Sequence, residues 1–403
     1  MARKTKRNRK PVNSTGSYPV QSLGNANMRQ VATVLAFAVA ALVALGMVIL
    51  YSASMSDQGM RLLVKQAQWL GLGMCGCLFV ALVDYRVWRK HAWWILAAAI
   101  VLLALVLVPG IGHKIGGARR WFKIGGVSFQ PSELAKIAIL IWAAFYCEWQ
   151  TRNMKNFKEG ILYPSTIMGV VLTLILVEPD RGTFILMSAV CAGVLCVGGV
   201  KLYYLAVPVL VGALSVGYLL ATDPLRMRRI TSWLRPEETR DGVGYQAYQS
   251  MIAMGSGGVT GVGLGDGRQK MGFVPENLTD FIFSVIGEEL GLIATLGVLL
   301  GFALITICGM TIAWKARDRF GYFLATGITL LIGAQACVNI GVVTSALPNK
   351  GMSLPFISYG GSNLLMMLVC VGFLISIARH ATDDAVVVDE DSSGTVFMAA
   401  ARA

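Results

Sequence analysis

Residues 31–51 read VATVLAFAVAALVALGMVILY, an apolar run without a single charged side chain. A helix needs about 20 such residues to cross a hydrocarbon core. The run is longer than the apolar region of a signal peptide and has no cleavage box before Asp57, so it reads as a retained membrane helix. Working outward, windows of the same kind recur at 66–83, 92–108, 131–147, 161–177, 183–200, 202–221, 281–308, 321–343 and 361–378, and only the fourth and eighth windows contain charges. The expected fold is therefore an all-α integral membrane protein of about ten transmembrane helices. Its two ends lie on one side, and a large extracytoplasmic loop, 222–280, precedes span 8.

Composition agrees. Of 403 residues 55% are apolar and only 14% charged, with a mean hydropathy of +0.63, which is too little charge to cover a soluble fold of this length. The eight cysteines fall within spans and read as packing residues. With three histidines, neither a histidine metal cage nor a histidine-centred triad has support. Residues 1–27 carry Arg3, Lys4, Lys6, Arg7, Arg9 and Lys10 and then a Ser/Gly/Asn-rich stretch, the composition of a disordered cytoplasmic tail. The membrane domain covers 28–380, and 381–403 form a short C-terminal tail on the same side.

Placing the N-terminus inside puts Arg86, Arg89, Lys90, Arg152, Lys155, Lys158, Lys201, Lys315, Arg317 and Arg319 in inner loops, as the positive-inside rule requires. The outer loops break the rule. Loop 109–130 has Lys114, Arg119, Arg120 and Lys123, and 222–280 adds Arg226, Arg228, Arg229, Arg235, Arg240, Arg268 and Lys270. Either these cations reach phospholipid headgroups, or they bind an anionic lipid-linked substrate. The second is favoured for the set, because guanidinium and ammonium groups neutralise pyrophosphate oxygens.

Four segments concentrate Gly, Pro, amides and charges at outer span ends. In the first, G-A-R-R-W (117–121) leads to Q-P-S-E-L-A-K (130–136). Pro131 suits a first helical turn, and Glu133 and Lys136 share a face at i,i+3. They are either an intrahelical ion pair or, as favoured here for Lys136, site-facing groups. The second, E-P-D-R-G-T (178–183), is a tight turn whose Glu178 and Asp180 cap it, hold an arginine or bind a divalent ion such as Mg or Mn. The third, 255–289, holds a run of glycines suited to close backbone approach or re-entry, then P-E-N-L-T-D (275–280). Asp280 is either a helix-terminal acid capped by Thr279 or a general base. A helix starting at Pro275 would put Glu276 one turn away on its face. The fourth, L-P-N-K-G (347–351) with L-P-F-I-S-Y-G-G-S (354–362), reads as a broken re-entrant connection whose only charge is Lys350. The hydroxyl of Ser358 there serves a sugar or the loop's own backbone.

In this order, on ten spans, these four segments resemble the SEDS family of cell-division, elongation and sporulation polymerases over about residues 30–380. The resemblance implies a glycosyltransferase that polymerises lipid II, the undecaprenyl-pyrophosphoryl disaccharide-pentapeptide, in the bacterial inner membrane. It further implies a class B penicillin-binding protein as partner and other divisome proteins around it, with no nucleic acid. The family's essential aspartate, arginine and lysine match Asp280, Arg120 and Lys136. Glu133, Glu276, Lys270, Lys350 and Ser358 complete the expected substrate site, with no resident metal assigned. Leu278 stands where the family often has histidine, and Gly272 where some relatives carry an acid; Asp280 is intact. L-P-N-K-G and the basic tail resemble the division branch more than the elongation branch. A lipid flippase and a non-catalytic septal scaffold are the rival functions.

Overall fold

The computed structural model describes residues 22–54, 60–115, 118–124, 127–206, 231–234, 244–268 and 278–383, with isolated positions between 210 and 242. The tail through residue 21, most of the expected seventh span and the rest of loop 222–280, including Lys270 and Glu276, lie outside the described residues, as does the chain after 383.

The described elements are α1 (Ser22–Ser54), α2 (Met60–Leu82), α3 (Tyr85–Lys90), α4 (Ala92–Leu107), β1 (His113–Ile115), β2 (Ala118–Ile124), β3 (Val127–Phe129), α5 (Pro131–Trp149), α6 (Tyr163–Val177), α7 (Arg181–Val197), α8 (Tyr245–Gly257), α9 (Ile282–Trp314), α10 (Arg319–Val343) and α11 (Gly361–Asp383). A π-turn at Lys158–Leu162 leads into α6. Among the described residues, six helices are long and apolar enough to cross a membrane: Met28–Ser54, Met60–Leu82, Lys158–Val177, Ile282–Trp314, Arg319–Val343 and Gly361–Ala381. Ala92–Leu107 and Arg181–Val197 are shorter apolar helices, and α5 carries Glu133, Lys136 and Glu148. The chain is a helical, multi-pass membrane protein. Helices serve here because each satisfies its own backbone where water is absent.

Local chemistry sets the starts of these helices. Asp84, Asp180 and Asp318 accept backbone N–H groups of Arg86, Thr183 and Gly321 at 2.8, 3.1 and 2.7 Å, capping α3, α7 and α10. Pro131 opens α5 in the first turn, where its missing N–H leaves nothing unpaired. The helices α10 and α11 are central, with 72% and 78% of their apolar windows buried against 22% for α2. Peripheral helices present Phe37, Trp94 and Leu300 outward, each more than 70% exposed, as a lipid-facing surface requires. All eight cysteines are free, and Cys77, Cys147, Cys191, Cys308 and Cys370 are buried.

The all-α expectation needs one addition. Loop 109–130 folds into a three-stranded antiparallel sheet, β1-β2-β3. Its register pairs Lys114 with Arg119, Lys123 with Ser128 and Phe122 with Phe129. A search for long apolar windows cannot see strands this short, but the period-two alternation is present in A-R-R-W-F-K-I (118–124). It puts Arg119, Trp121 and Lys123 on one face of β2 and Arg120 and Phe122 on the other.

The glycine-rich segment packs its backbone against a break in α9. Gly291 breaks that helix with φ 71°, a left-handed value that favours glycine. The backbone groups released there pair with 258–263: Leu292 N donates to Gly258 O at 3.0 Å and Ile293 N to Val259 O at 3.2 Å. In return, Val262 N and Gly263 N donate to the carbonyls of Glu288 and Glu289 at 3.0 and 3.1 Å. The Glu288 carboxylate accepts Arg268 N at 2.7 Å, and that of Glu289 accepts the Ser52 hydroxyl at 2.6 Å, tying the break to α1.

Candidate active site

Asp280 lies in the turn that precedes α9 and is half-buried. The helix starts at Ile282, with Phe281 at the cap position and no side-chain cap bond. Thr279 is therefore not the cap. Residues 278–280 form a turn, and the expected pairing of Glu276 with Asp280 lies outside the described residues.

Three successive carbonyls of this turn are held by α10 and by the segment joining it to α11. Tyr359 N donates to Leu278 O at 2.9 Å, Ser358 Oγ to Thr279 O at 2.5 Å, and Asn339 Nδ2 to Asp280 O at 2.8 Å. Ser358 Oγ also accepts Leu354 N at 2.8 Å, so this buried hydroxyl serves backbone on both sides rather than a sugar. Gly351 closes the turn from the other direction: a Cβ there would overlap the Asp280 carboxylate.

Behind this turn runs a buried polar ladder. Lys136 Nζ lies 2.6 Å from Glu133 Oε2 and donates to Gln335 Oε1 at 3.3 Å. Gln335 donates to Ser353 O at 2.9 Å, and Asn363 to Glu133 Oε2 at 3.0 Å. Glu133 and Lys136 are 6% and 2% exposed. They form the intrahelical ion pair, one of the two arrangements expected for this face, and Lys136 is buried within it. In a bundle without water, a charge is tolerated where it is paired and hydrogen-bonded.

Arg120 is also engaged by backbone. Its Nε donates to Glu178 O at 2.7 Å and its Nη2 to Pro179 O at 2.6 Å, so the guanidinium fork clamps the α6–α7 turn and leaves the Nη1 edge for another oxygen. Beside it, the Glu178 carboxyl is fully buried and neither oxygen has a hydrogen-bond partner. Burial, and then the nearby Asp180, push its pKa up to about 8 against the pull of Arg120. Lys350 donates to Arg181 O at 2.7 Å, and burial lowers its pKa to about 8 although Asp180 opposes the shift. Lys350 thus brings its ammonium to the α6–α7 turn, from the residue before the Gly351 that meets the Asp280 carboxylate.

At the Glu178–Asp180 turn, Asp180 Oδ1 and Oδ2 accept Thr183 N and Oγ1 at 3.1 and 3.0 Å, and Gln130 lies 3.2 Å from Oδ2. Among the described residues no group of three or more His, Cys, Asp or Glu is gathered as metal ligands.

Sequence reading missed Gln335, Asn339 and Asn363. The signal was available, since amides one turn apart in an apolar helix must find partners inside the bundle.

The sequence profile of the FtsW, RodA and SpoVE proteins, described as "Cell cycle protein", matches residues 32–383. The chain belongs to this family. Within the family, it is 40% identical over 347 residues to "Probable peptidoglycan glycosyltransferase FtsW" of Geobacter metallireducens, covering 84% of this chain and 92% of that protein. It is 37% identical over 346 residues to Stage V sporulation protein E of Bacillus subtilis, covering 84% and 94%. A chain from a solved structure, described as "Structural coordination of polymerization and crosslinking by a peptidoglycan synthase complex", superposes with a TM-score of 0.74 at 30% identity over 87% of this chain and 98% of that one. The crystal structure of Thermus thermophilus RodA superposes with a TM-score of 0.64 at 28% identity, over 86% and 95%.

Proposed function

We propose that this family member is a peptidoglycan glycosyltransferase that polymerises lipid II during cell division. The observation that carries the reading is the Asp280 turn. The acid sits in a turn whose carbonyls, those of Leu278, Thr279 and Asp280, each accept a hydrogen bond, at the end of the bundle that also gathers the small sheet, the α6–α7 turn and Lys350. Preorganisation of this kind is what a general base needs. The names of the relatives support the chemistry, and the resemblance of L-P-N-K-G (347–351) to the division branch supports the division role.

In this reading Asp280 accepts the proton of the acceptor sugar's 4-hydroxyl. That oxygen attacks the donor's anomeric carbon from the face opposite the leaving group. The carbon–oxygen bond to the pyrophosphate breaks, undecaprenyl pyrophosphate takes the bonding pair, and the anomeric centre inverts. Lys350, with the free edge of Arg120 and the exposed cations of β1 and β2, offsets the developing pyrophosphate charge. Glu133 and Lys136 act from behind, by holding Gln335 and the 352–353 backbone in place. The site end faces the periplasm, both termini face the cytoplasm, and the protein works at the septum with a class B penicillin-binding protein and other divisome proteins.

The test is incubation of the purified protein with purified lipid II, with and without the partner transpeptidase. Glycan strands should form and undecaprenyl pyrophosphate should accumulate. Movement of lipid II across vesicles with no polymer under either condition would favour the flippase instead.

A further inference from the structure

Asn339 sits in the last two turns of α10, 1% exposed, among apolar neighbours. Its one amide nitrogen is shared between two chain segments that are distant in sequence: Asp280 O at 2.8 Å and Met352 O at 2.5 Å. Its Oδ1 is buried without a hydrogen-bond partner. Leaving an acceptor unpaired in the interior is unfavourable by roughly 1–3 kcal/mol, so a side chain kept for packing alone would do better without an amide. What the amide supplies is a tether with two donor hydrogens. It fixes the carbonyl of the Asp280 residue against the 351–353 backbone, on the same stretch where Gly351 admits the Asp280 carboxylate because it has no Cβ. Gln335, one turn earlier on the same face of α10, holds the next carbonyl, that of Ser353, and rests on Lys136.

We propose that Asn339 and Gly351 are positioning residues for Asp280, the first fixing the backbone of its turn and the second the space its carboxylate occupies. The proposal rests on the reading of Asp280 as general base. Neither residue touches substrate. Both act on the aim of one carboxylate, so their loss should appear in turnover rather than in substrate binding. A misplacement of the reacting group by about 1 Å is worth about a hundredfold in rate.

The experiment compares Asn339→Leu, Gly351→Ala, the double variant and Asp280→Asn with wild type, in lipid II polymerisation by the purified full-length protein in complex with its partner synthase, alongside thermal unfolding. Leucine keeps the shape of asparagine and removes both donors. Each single variant should lower kcat about tenfold to a hundredfold with KM for lipid II within about twofold, and the double variant should lose less than the product of the two, because both act on one turn. Folded single variants with wild-type kcat overturn the proposal, as does a loss expressed in KM or a multiplicative double loss. If Asn339→Leu does not fold, Gly351→Ala decides alone by the same kcat and KM criteria. An active Asp280→Asn defeats the general-base reading and the proposal with it, whereas an inactive Asp280→Asn beside fully active positioning variants defeats only the proposal.

Discussion

Glu178 is a carboxyl group buried completely, with both oxygens unpartnered and a pKa near 8 in place of 4.5. The folded state keeps its proton over an interval in which the unfolded chain has lost it. Its contribution to stability therefore declines as pH rises from about 4.5 to about 8 and is constant above that. Glu178→Gln, which mimics the neutral acid, should unfold at a higher temperature than wild type at pH 8, with a gain of a few kcal/mol that vanishes near pH 4. Equal shifts at both pH values would mean that Glu178 is ionised in the folded protein. Arg120 offers a second test at this scale. Its fork spans the carbonyls of Glu178 and Pro179, which a lysine cannot do, so Arg120→Lys should destabilise by about 1–3 kcal/mol and lower polymerisation as the turn loosens. A variant of unchanged stability that no longer polymerises would show that Arg120 acts through its free edge at the pyrophosphate and not through the clamp on the turn. Residue identities were legible in the sequence here, but assignments were not. Arg120, Lys136 and Ser358 sit in the expected neighbourhood, yet each spends its hydrogen bonds on the protein, and no spacing rule reveals which carbonyl a guanidinium will find.

Among the elements, the break in α9 joins a glycine-rich loop to a membrane helix. At Gly291 an added Cβ would strike Gly261 N and Val259 O, and the positive φ disfavours any other residue. Gly291→Ala should destabilise by several kcal/mol and undock 258–263 from Glu288 and Glu289, seen as faster hydrogen exchange at Val262 and Gly263. Unchanged exchange at those amides would show that the loop is held from elsewhere. The alternation of 118–124 carried a strand signal that a search for apolar windows passes over, and the glycines of 255–267 announced irregular backbone. Pairing could not be read, because a helix break and the loop that repairs it are separated in sequence and carry no mutual pattern. At the opposite end of the bundle, Asp318 accepts Tyr85 Oη at 2.7 Å and Arg86 Nε at 2.9 Å as well as Gly321 N. Burial raises the Asp318 pKa, but these donors and the Arg86 charge outweigh it, and the net shift is downward. Asp318→Asn should thus lose stability at neutral pH and approach wild type as pH falls below the carboxylate range.

For the whole molecule, the apolar windows fixed the class of fold because hydrocarbon imposes one rule on every span, and most windows returned as helices within a few residues of their expected ends. Their order could not show that α5, α10 and α11 form the centre and that the polar ladder runs between them. The ladder makes the bundle's interior the support of its outer end: Glu133, Lys136, Gln335 and Asn339 connect α5 and α10 to the turn that bears Asp280. The proposed orientation rests on the inner-loop cations; under it, single cysteines in the 109–130 sheet should label from outside intact cells, whereas those at 86–90 should label only after the membrane is opened. The reverse pattern would invert the topology and remove the site from its substrate. The most direct test of the central claim replaces one atom of the acid. Asp280→Asn keeps the shape of the side chain and leaves its backbone carbonyl on Asn339, but it cannot take a proton at neutral pH. Measured with purified lipid II, the variant should unfold at the wild-type temperature, still bind lipid II, and polymerise at least about a hundredfold more slowly; a stable Asp280→Asn protein that builds glycan strands at the wild-type rate would contradict the account.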